Sequence, residues 1–191
     1  MNVSIARNET LLEAALAPFD IVRQVGLVIG FSLLMALSAQ IVIPIGSVPI
    51  TGQTFVVMLA GALLGSRLGA MAMIAYLIEG ASGLPFFAGG MAGLAHLLGP
   101  RAGYLIAFPA AAFIVGAFAE QGWDRKFLTA VVAMAVGSAV ILVCGAVWFA
   151  YLMHTSLFTL DALKFIPGDV IKILLAAAVL PTGWKLLKRK H

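Results

Sequence analysis

Asp169 and Lys172 stand three positions apart at the head of the last apolar stretch, Pro167-Gly168-Asp169-Val170-Ile171-Lys172. On a helix that spacing puts both side chains on one face. Only twelve uncharged residues, Ile173 to Trp184, separate Lys172 from Lys185. A span needs about 20 residues, so the acid and the base must lie within the outer end of the membrane helix itself. Pro167 suits the first helical position, and an acid in the first turn is favoured by the helix dipole. The pair fits two readings: an ion pair capping its own helix, or an acid and a base presented to an externally open site, as ionisable groups inside membranes mark binding sites. Glu79 and Arg101 pose the same choice: they pair with each other, sit at the water interface, or face the same cavity. Two acids and two bases around an apolar, aromatic-lined pocket suit a ligand with hydrogen-bond donors, a carboxylate and an apolar body. Trp148 and Tyr151 are candidate pocket walls, although an interfacial aromatic belt is the commoner explanation for such residues.

The elements that position these groups are organised around Glu79 to Tyr104, EGASGLPFFAGGMAGLAHLLGPRAGY. Its many glycines disfavour a helix, each by roughly 1 kcal/mol relative to Ala, and Pro85 and Pro100 each remove a backbone donor. Yet Phe86, Phe87, Met91, Leu94, Leu97 and Leu98 keep it apolar enough for membrane depth. Irregular backbone at that depth is tolerated only where protein buries it or where it lines a cavity, and broken segments of this kind hold ligand sites in transport proteins. A plain external loop is the alternative, but ordinary loops are polar.

Hydrophobic residues make up 62% of the 191 positions and charged residues 10%, against about 25% in a soluble domain. Mean hydropathy is +1.08. The chain is therefore expected to be an all-α integral membrane protein forming one domain over residues 1–191. Cys144 alone allows no intrachain disulfide. The net charge of +4 is topogenic, since no basic run is interleaved with aromatics. The first twenty residues lack the apolar core of a cleavable signal, and ETLLEAALA within residues 1–23 reads as a short surface helix. Breaks at 44–49, 65–69, the glycine-rich stretch, 120–126 and 154–166 divide the rest into six spans: about 24–43, 50–64, 70–82, 102–119, 127–151 and 167–187. Arg7 and Arg23, Arg67, Arg125 with Lys126, and the basic tail 185–191 belong on the cytoplasmic side. An even number of spans between those segments requires the reversal at Arg67. Both termini are then cytoplasmic, with the glycine-rich, re-entrant-like loop between the third and fourth spans facing outward.

Two further patterns need weighing. Gly26/Gly30 and Ser32/Ala36 form a ridge of small residues on the first span, which permits close helix approach. The ridge packs within this chain or, on the functional reading, meets a partner subunit through Ser32 and Ala36. Gly80-Ala81-Ser82-Gly83 and Ala95-His96-Leu97-Leu98-Gly99 resemble the active-site strings of rhomboid intramembrane proteases. Here only thirteen residues separate Ser82 from His96, whereas that family draws the pair from well-separated helices. A glycine-rich chain matches such strings by chance, and the protease stands as a remote alternative.

The ordered strings resemble one family over residues 36–172: BioY, the biotin-specific substrate-capture component of energy-coupling-factor transporters. They are Ala39-Gln40-Ile41 to Pro44, Val48-Pro49-Ile50-Thr51-Gly52-Gln53-Thr54, Leu63 to Ala70, and Gly83-Leu84-Pro85-Phe86-Phe87-Ala88-Gly89-Gly90. Leu98-Gly99-Pro100 to Gly103-Tyr104-Leu105 and Pro167-Gly168-Asp169 to Lys172 complete them. The chain departs from the family at Arg101-Ala102, where Thr-Gly is common, and at Glu79. The resemblance implies a six-helix bundle in a prokaryotic cytoplasmic membrane that captures biotin near its external face. Asp169 and Lys172 would be its main polar contacts, with Glu79, Arg101, Gly89, Gly90, Phe86, Phe87, Tyr104 and Trp148 as further site candidates. It implies partners, a transmembrane coupling protein and two ATPases, with ATP used only by those ATPases. No cofactor or metal is expected, and no enzymatic activity, since no G-x-x-x-x-G-K-[ST] string is present. Another vitamin is the alternative ligand.

Overall fold

The computed structural model describes residues 10–16, 20–43, 50–154 and 165–190. The expected turn at 44–49 and most of the loop at 154–166 therefore lie outside the described residues. Helix α1, Leu11–Ala15, starts in a reciprocal capping box between Thr10 and Glu13. Helix α2 covers Ile21–Ala39, with Asp20 capping its first turn. Strands β1, Val42–Ile43, and β2, Ile50–Thr51, pair antiparallel. Then come α3, Gln53–Ala81, two short 3₁₀ turns at Ala88–Gly90 and Leu94–Leu98, and α4, Ala102–Glu120. A third 3₁₀ turn, Trp123–Arg125, leads to α5, Phe127–Met153, and the chain closes with α6, Phe165–Lys190. Five of these helices are long and apolar enough to cross a membrane.

The 29-residue α3 is not a straight rod. Gly65 has φ 85° and ψ 179°, a conformation essentially reserved for glycine. In a continuous helix, Gln53 and Tyr76 would lie about 34 Å apart. Instead the Gln53 amide donates to the Tyr76 hydroxyl at 2.7 Å. A Cβ on Gly69 would come within 2.9 Å of the Gly61 Cα. The helix thus doubles back at Gly65 into two antiparallel limbs crossing at a glycine pair, at the turn the sequence requires. The Glu120 carboxylate fixes the reversal: its Oε1 accepts from the Ser66 N–H at 2.7 Å and the Ser66 hydroxyl at 2.8 Å.

Packing is tightest where α3, α4 and α5 meet. The core holds Met35, Val57, Met73, Tyr76, Phe108 and Met134 among many alanines. Small residues let helices approach where lipid supplies no hydrophobic drive between them. Gly145 shows the consequence: a Cβ there would strike the Tyr104 ring, so the glycine on α5 seats Tyr104 of α4. Helix α2 is peripheral, leaving Ile21, Val22, Val25, Ile29, Leu33 and Leu37 exposed.

The ridge on α2 divides: Gly26 and Gly30 are exposed, whereas the Ser32/Ala36 pair read as a partner contact points inward. Ser32 is fully buried and Ala36 is 7% exposed. The Ser32 hydroxyl donates to the Ile29 carbonyl and to Glu79 Oε1 at 3.1 Å. Both residues serve packing of α2 on α3 and present no surface to a partner. Small residues fit an inward or an outward seam alike, so spacing alone did not separate the two.

A candidate ligand cavity

Asp169 and Lys172 occupy the first turns of α6 and form an ion pair at 3.4 Å. Neither is left to the other alone. Asp169 Oδ1 also accepts from the Thr54 hydroxyl of α3 at 3.3 Å, and Oδ2 accepts from the Ser138 hydroxyl of α5 at 2.8 Å. The Lys172 ammonium donates to the Thr51 carbonyl at 2.7 Å and to the Thr54 hydroxyl at 2.8 Å. Four elements, β2, α3, α5 and α6, thus converge on one buried ion pair. A buried charge is tolerable only when paired and hydrogen-bonded in this way.

This cluster forms one side of a cavity of about 630 Å³, measured to its open mouth. Arg101, Tyr104, Leu105 and Phe108 line it from α4, and Ile141 and Leu142 from α5. Ala88 and His96 close it from the glycine-rich stretch, and Ile50 from β2. Charge stands on two sides, Asp169 with Lys172 and Arg101 beside His96, with apolar and aromatic surface between them. Burial, and then the neighbouring Arg101, push the His96 imidazole below its ordinary value.

The glycine-rich stretch is held at named points. The Gln40 amide donates to the Phe87 carbonyl, and Gln40 Oε1 accepts from the Gly90 N–H at 3.0 Å. The Tyr76 hydroxyl donates to the Phe86 carbonyl at 3.2 Å, and the Gly93 N–H reaches the Gly80 carbonyl at 2.8 Å. Phe87 is fully buried, stacked on His96 with ring centroids 5.0 Å apart and edge-on to Tyr76. His96 therefore reaches the cavity on a rigid aromatic stack.

Of the residues singled out from the sequence, Asp169, Lys172, Arg101 and Tyr104 line this cavity. The others do not. Glu79 faces α2 and bonds Ser32. Phe86, Phe87, Gly89 and Gly90 form the wall behind Ala88 and His96 rather than its inner surface. Trp148 donates its indole N–H to the Gly99 carbonyl at 2.9 Å and, with Tyr151, borders a separate outer groove between α4 and α5. Residues not foreseen as site groups are Thr51, Gln53, Thr54 and Ser138. The first three were legible as polar groups inside a stretch with no charge; a lone serine in an apolar helix carries no signal. The Ser82 hydroxyl donates to the Glu79 carbonyl at 2.7 Å and His96 stacks on Phe87, so the protease-like strings do not form a nucleophile–base pair.

Apolar helices enclosing a mixed-charge cavity near one end, walled by broken helix and irregular glycine-rich backbone, define a membrane-embedded small-molecule-binding protein of the transport class. Residues 7–189 match the BioY family, and the chain belongs to it. It is 42% identical over 158 residues to the probable biotin transporter BioY of Pyrococcus horikoshii, covering 82% of this chain and 93% of that relative. It is 33% identical over 151 residues to the biotin transporter BioY of Thermotoga maritima, covering 78% and 88%. Among solved structures it resembles the S-component for biotin from an ECF-type ABC transporter, with a TM-score of 0.76 and 31% identity over 86% of this chain and 92% of that one.

Proposed function

We propose that this chain captures biotin as the substrate-specific subunit of an energy-coupling-factor transporter in a prokaryotic cytoplasmic membrane. It works with a transmembrane coupling protein and two ATPases, and ATP is spent only there. It is not an enzyme, and biotin is cargo rather than a cofactor. The relatives' names and the cavity's donor and acceptor set support one reading. With α3 crossing twice, six crossings put both termini on one side, and the basic residues Arg23, Arg67, Arg125 and Lys185 support reading that side as cytoplasmic, with the cavity mouth outside.

The observation that carries the ligand assignment is the unfilled position on Asp169. A carboxylate offers about four acceptor positions. Oδ1 uses two, for Thr54 and Lys172, and Oδ2 uses one, for Ser138. One N–H of the ligand's ureido ring completes Oδ2. The three Lys172 donors are committed to Thr51, Thr54 and Asp169. A ligand oxygen thus reaches the ammonium only by displacing one of those acceptors. Across the cavity, Arg101, with His96 beside it, is the cation for the ligand carboxylate, and Tyr104, Leu105 and Phe108 flank its apolar chain.

Detergent-purified protein should carry a biotin-sized mass under native mass spectrometry. Added biotin should raise its melting temperature, because a ligand that binds only the folded state stabilises it by mass action. Stabilisation by a different vitamin and not by biotin would reassign the cavity.

A further inference from the structure

Asp124 lies at the other end of the bundle from the cavity, in the 3₁₀ turn between α4 and α5, and is 2% exposed. Its Oδ2 accepts the indole N–H of Trp184 on α6. Its Oδ1 is buried and has no hydrogen-bond partner. The carboxyl borders a small gap whose other walls are apolar, among them Ala62, Val115, Met134 and Leu180 from α3, α4, α5 and α6. The charged neighbours leave Oδ1 without a donor. Arg125, on the same turn, lays its guanidinium over the Trp184 ring, 4.6 Å from the centroid. Glu120 of α4 is committed through Oε1 to Ser66, while Lys126 before α5 and Lys185 of α6 are exposed.

We propose that Asp124 is a titratable latch, in which uptake of one proton tightens the joint between the α4–α5 turn and α6 and its release loosens that joint. The proton exchanges between the carboxyl and water, so no other reactant is needed. A carboxylate with one side-chain hydrogen bond and one oxygen against an apolar gap is costly to bury, and a neutral carboxyl far less so. Burial pushes this carboxyl from 3.8 up to about 6, against the opposing pulls of the Trp184 N–H, Arg125 and its own backbone N–H. The sign follows from proton binding. Between those two values the folded chain binds more protons than the unfolded one, so this group stabilises the fold as pH falls through about 6, an effect complete below 3.8. Trp184 lies four turns beyond Asp169 on α6, about 22 Å along the helix, so the latch bears on the helix that carries the cavity's acid.

The test is thermal unfolding of the full chain in detergent at pH 5 and pH 8, wild type against Asp124→Asn. The amide keeps an acceptor for Trp184 and carries no charge. The variant should melt at or above wild type at pH 8 and lose that advantage at pH 5. A variant that melts below wild type by the same margin at both pH values overturns the latch. Should Asp124→Asn fail to fold, Trp184→Phe decides: loss of the N–H donor should steepen the rise in melting temperature on acidification. An unchanged or shallower rise would overturn the proposal equally.

Discussion

Ser138 and Asp169, on different helices and 31 positions apart, share a fully buried hydrogen bond of 2.8 Å. The serine hydroxyl holds one oxygen of the carboxylate while leaving one acceptor position on that oxygen open. Asp169→Asn replaces a charged acceptor with a neutral one. Hydrogen bonds to charged groups contribute roughly 1.5–3 kcal/mol. Biotin binding should therefore weaken by about one to two powers of ten, at 1.4 kcal/mol each. Ser138→Ala, which leaves the charge and removes its guide, should cost less. Titration calorimetry on folded protein measures both. A dissociation constant untouched by Asp169→Asn would reduce the ion pair to a helix cap.

Lys172 makes a prediction about folding. Lys172→Met strands the Asp169 charge and the Thr51 carbonyl, and breaking a buried pair from one side costs about 3–5 kcal/mol. The double variant Asp169→Asn with Lys172→Met removes the stranded charge and should regain part of that loss, without regaining biotin binding. Equal destabilisation in single and double variants, read from unfolding midpoints, would contradict the coupling.

At Gly65 a side chain faces two obstacles. The backbone conformation excludes L residues, and an added Cβ would lie 2.8 Å from Glu120 Oε1. Gly65→Ala should destabilise the protein by about 1–3 kcal/mol from backbone strain alone. Glu120→Gln, which retains an acceptor for Ser66, should cost less. A Gly65→Ala melting temperature equal to wild type would argue against the reversal.

The reversal could be seen in the sequence because charge parity demanded it. The Asp169–Lys172 pair could be seen because no membrane helix carries two ionisable groups without reason. What could not be read was direction. Glu79 and Arg101 flank the same stretch, yet one faces Ser32 on α2 and the other faces the cavity, a difference set by helix rotation rather than by spacing. Besides Lys172 on its own helix, the partners of Asp169 come from two other elements, α3 and α5. Such long-range contacts leave no local period, and hydroxyls such as those of Thr54 and Ser138 satisfy their own helix equally well.

The inward Ser32/Ala36 pair on α2 can be checked directly. Ala36→Trp should overpack the α2–α3 seam and cost about 1–3 kcal/mol or more. Leu33→Trp, on the outward face, should leave the unfolding midpoint near that of wild type. Size-exclusion profiles and melting curves in detergent compare the two. Similar behaviour of both variants would return Ala36 to the surface.

The doubled-back α3 also bears on how the chain enters the membrane. As residues 53–81 leave the ribosome they form a single apolar run, interrupted by Arg67 and, near its end, by Glu79, and neither limb has the length of an independent span. The insertion machinery thus receives a segment that it must seat as a helical hairpin. The carboxylate that secures the bend is synthesised 54 positions after the serine it holds. Until α4 arrives, the bend lacks that brace, so the orientation of everything downstream is committed before its securing bond exists.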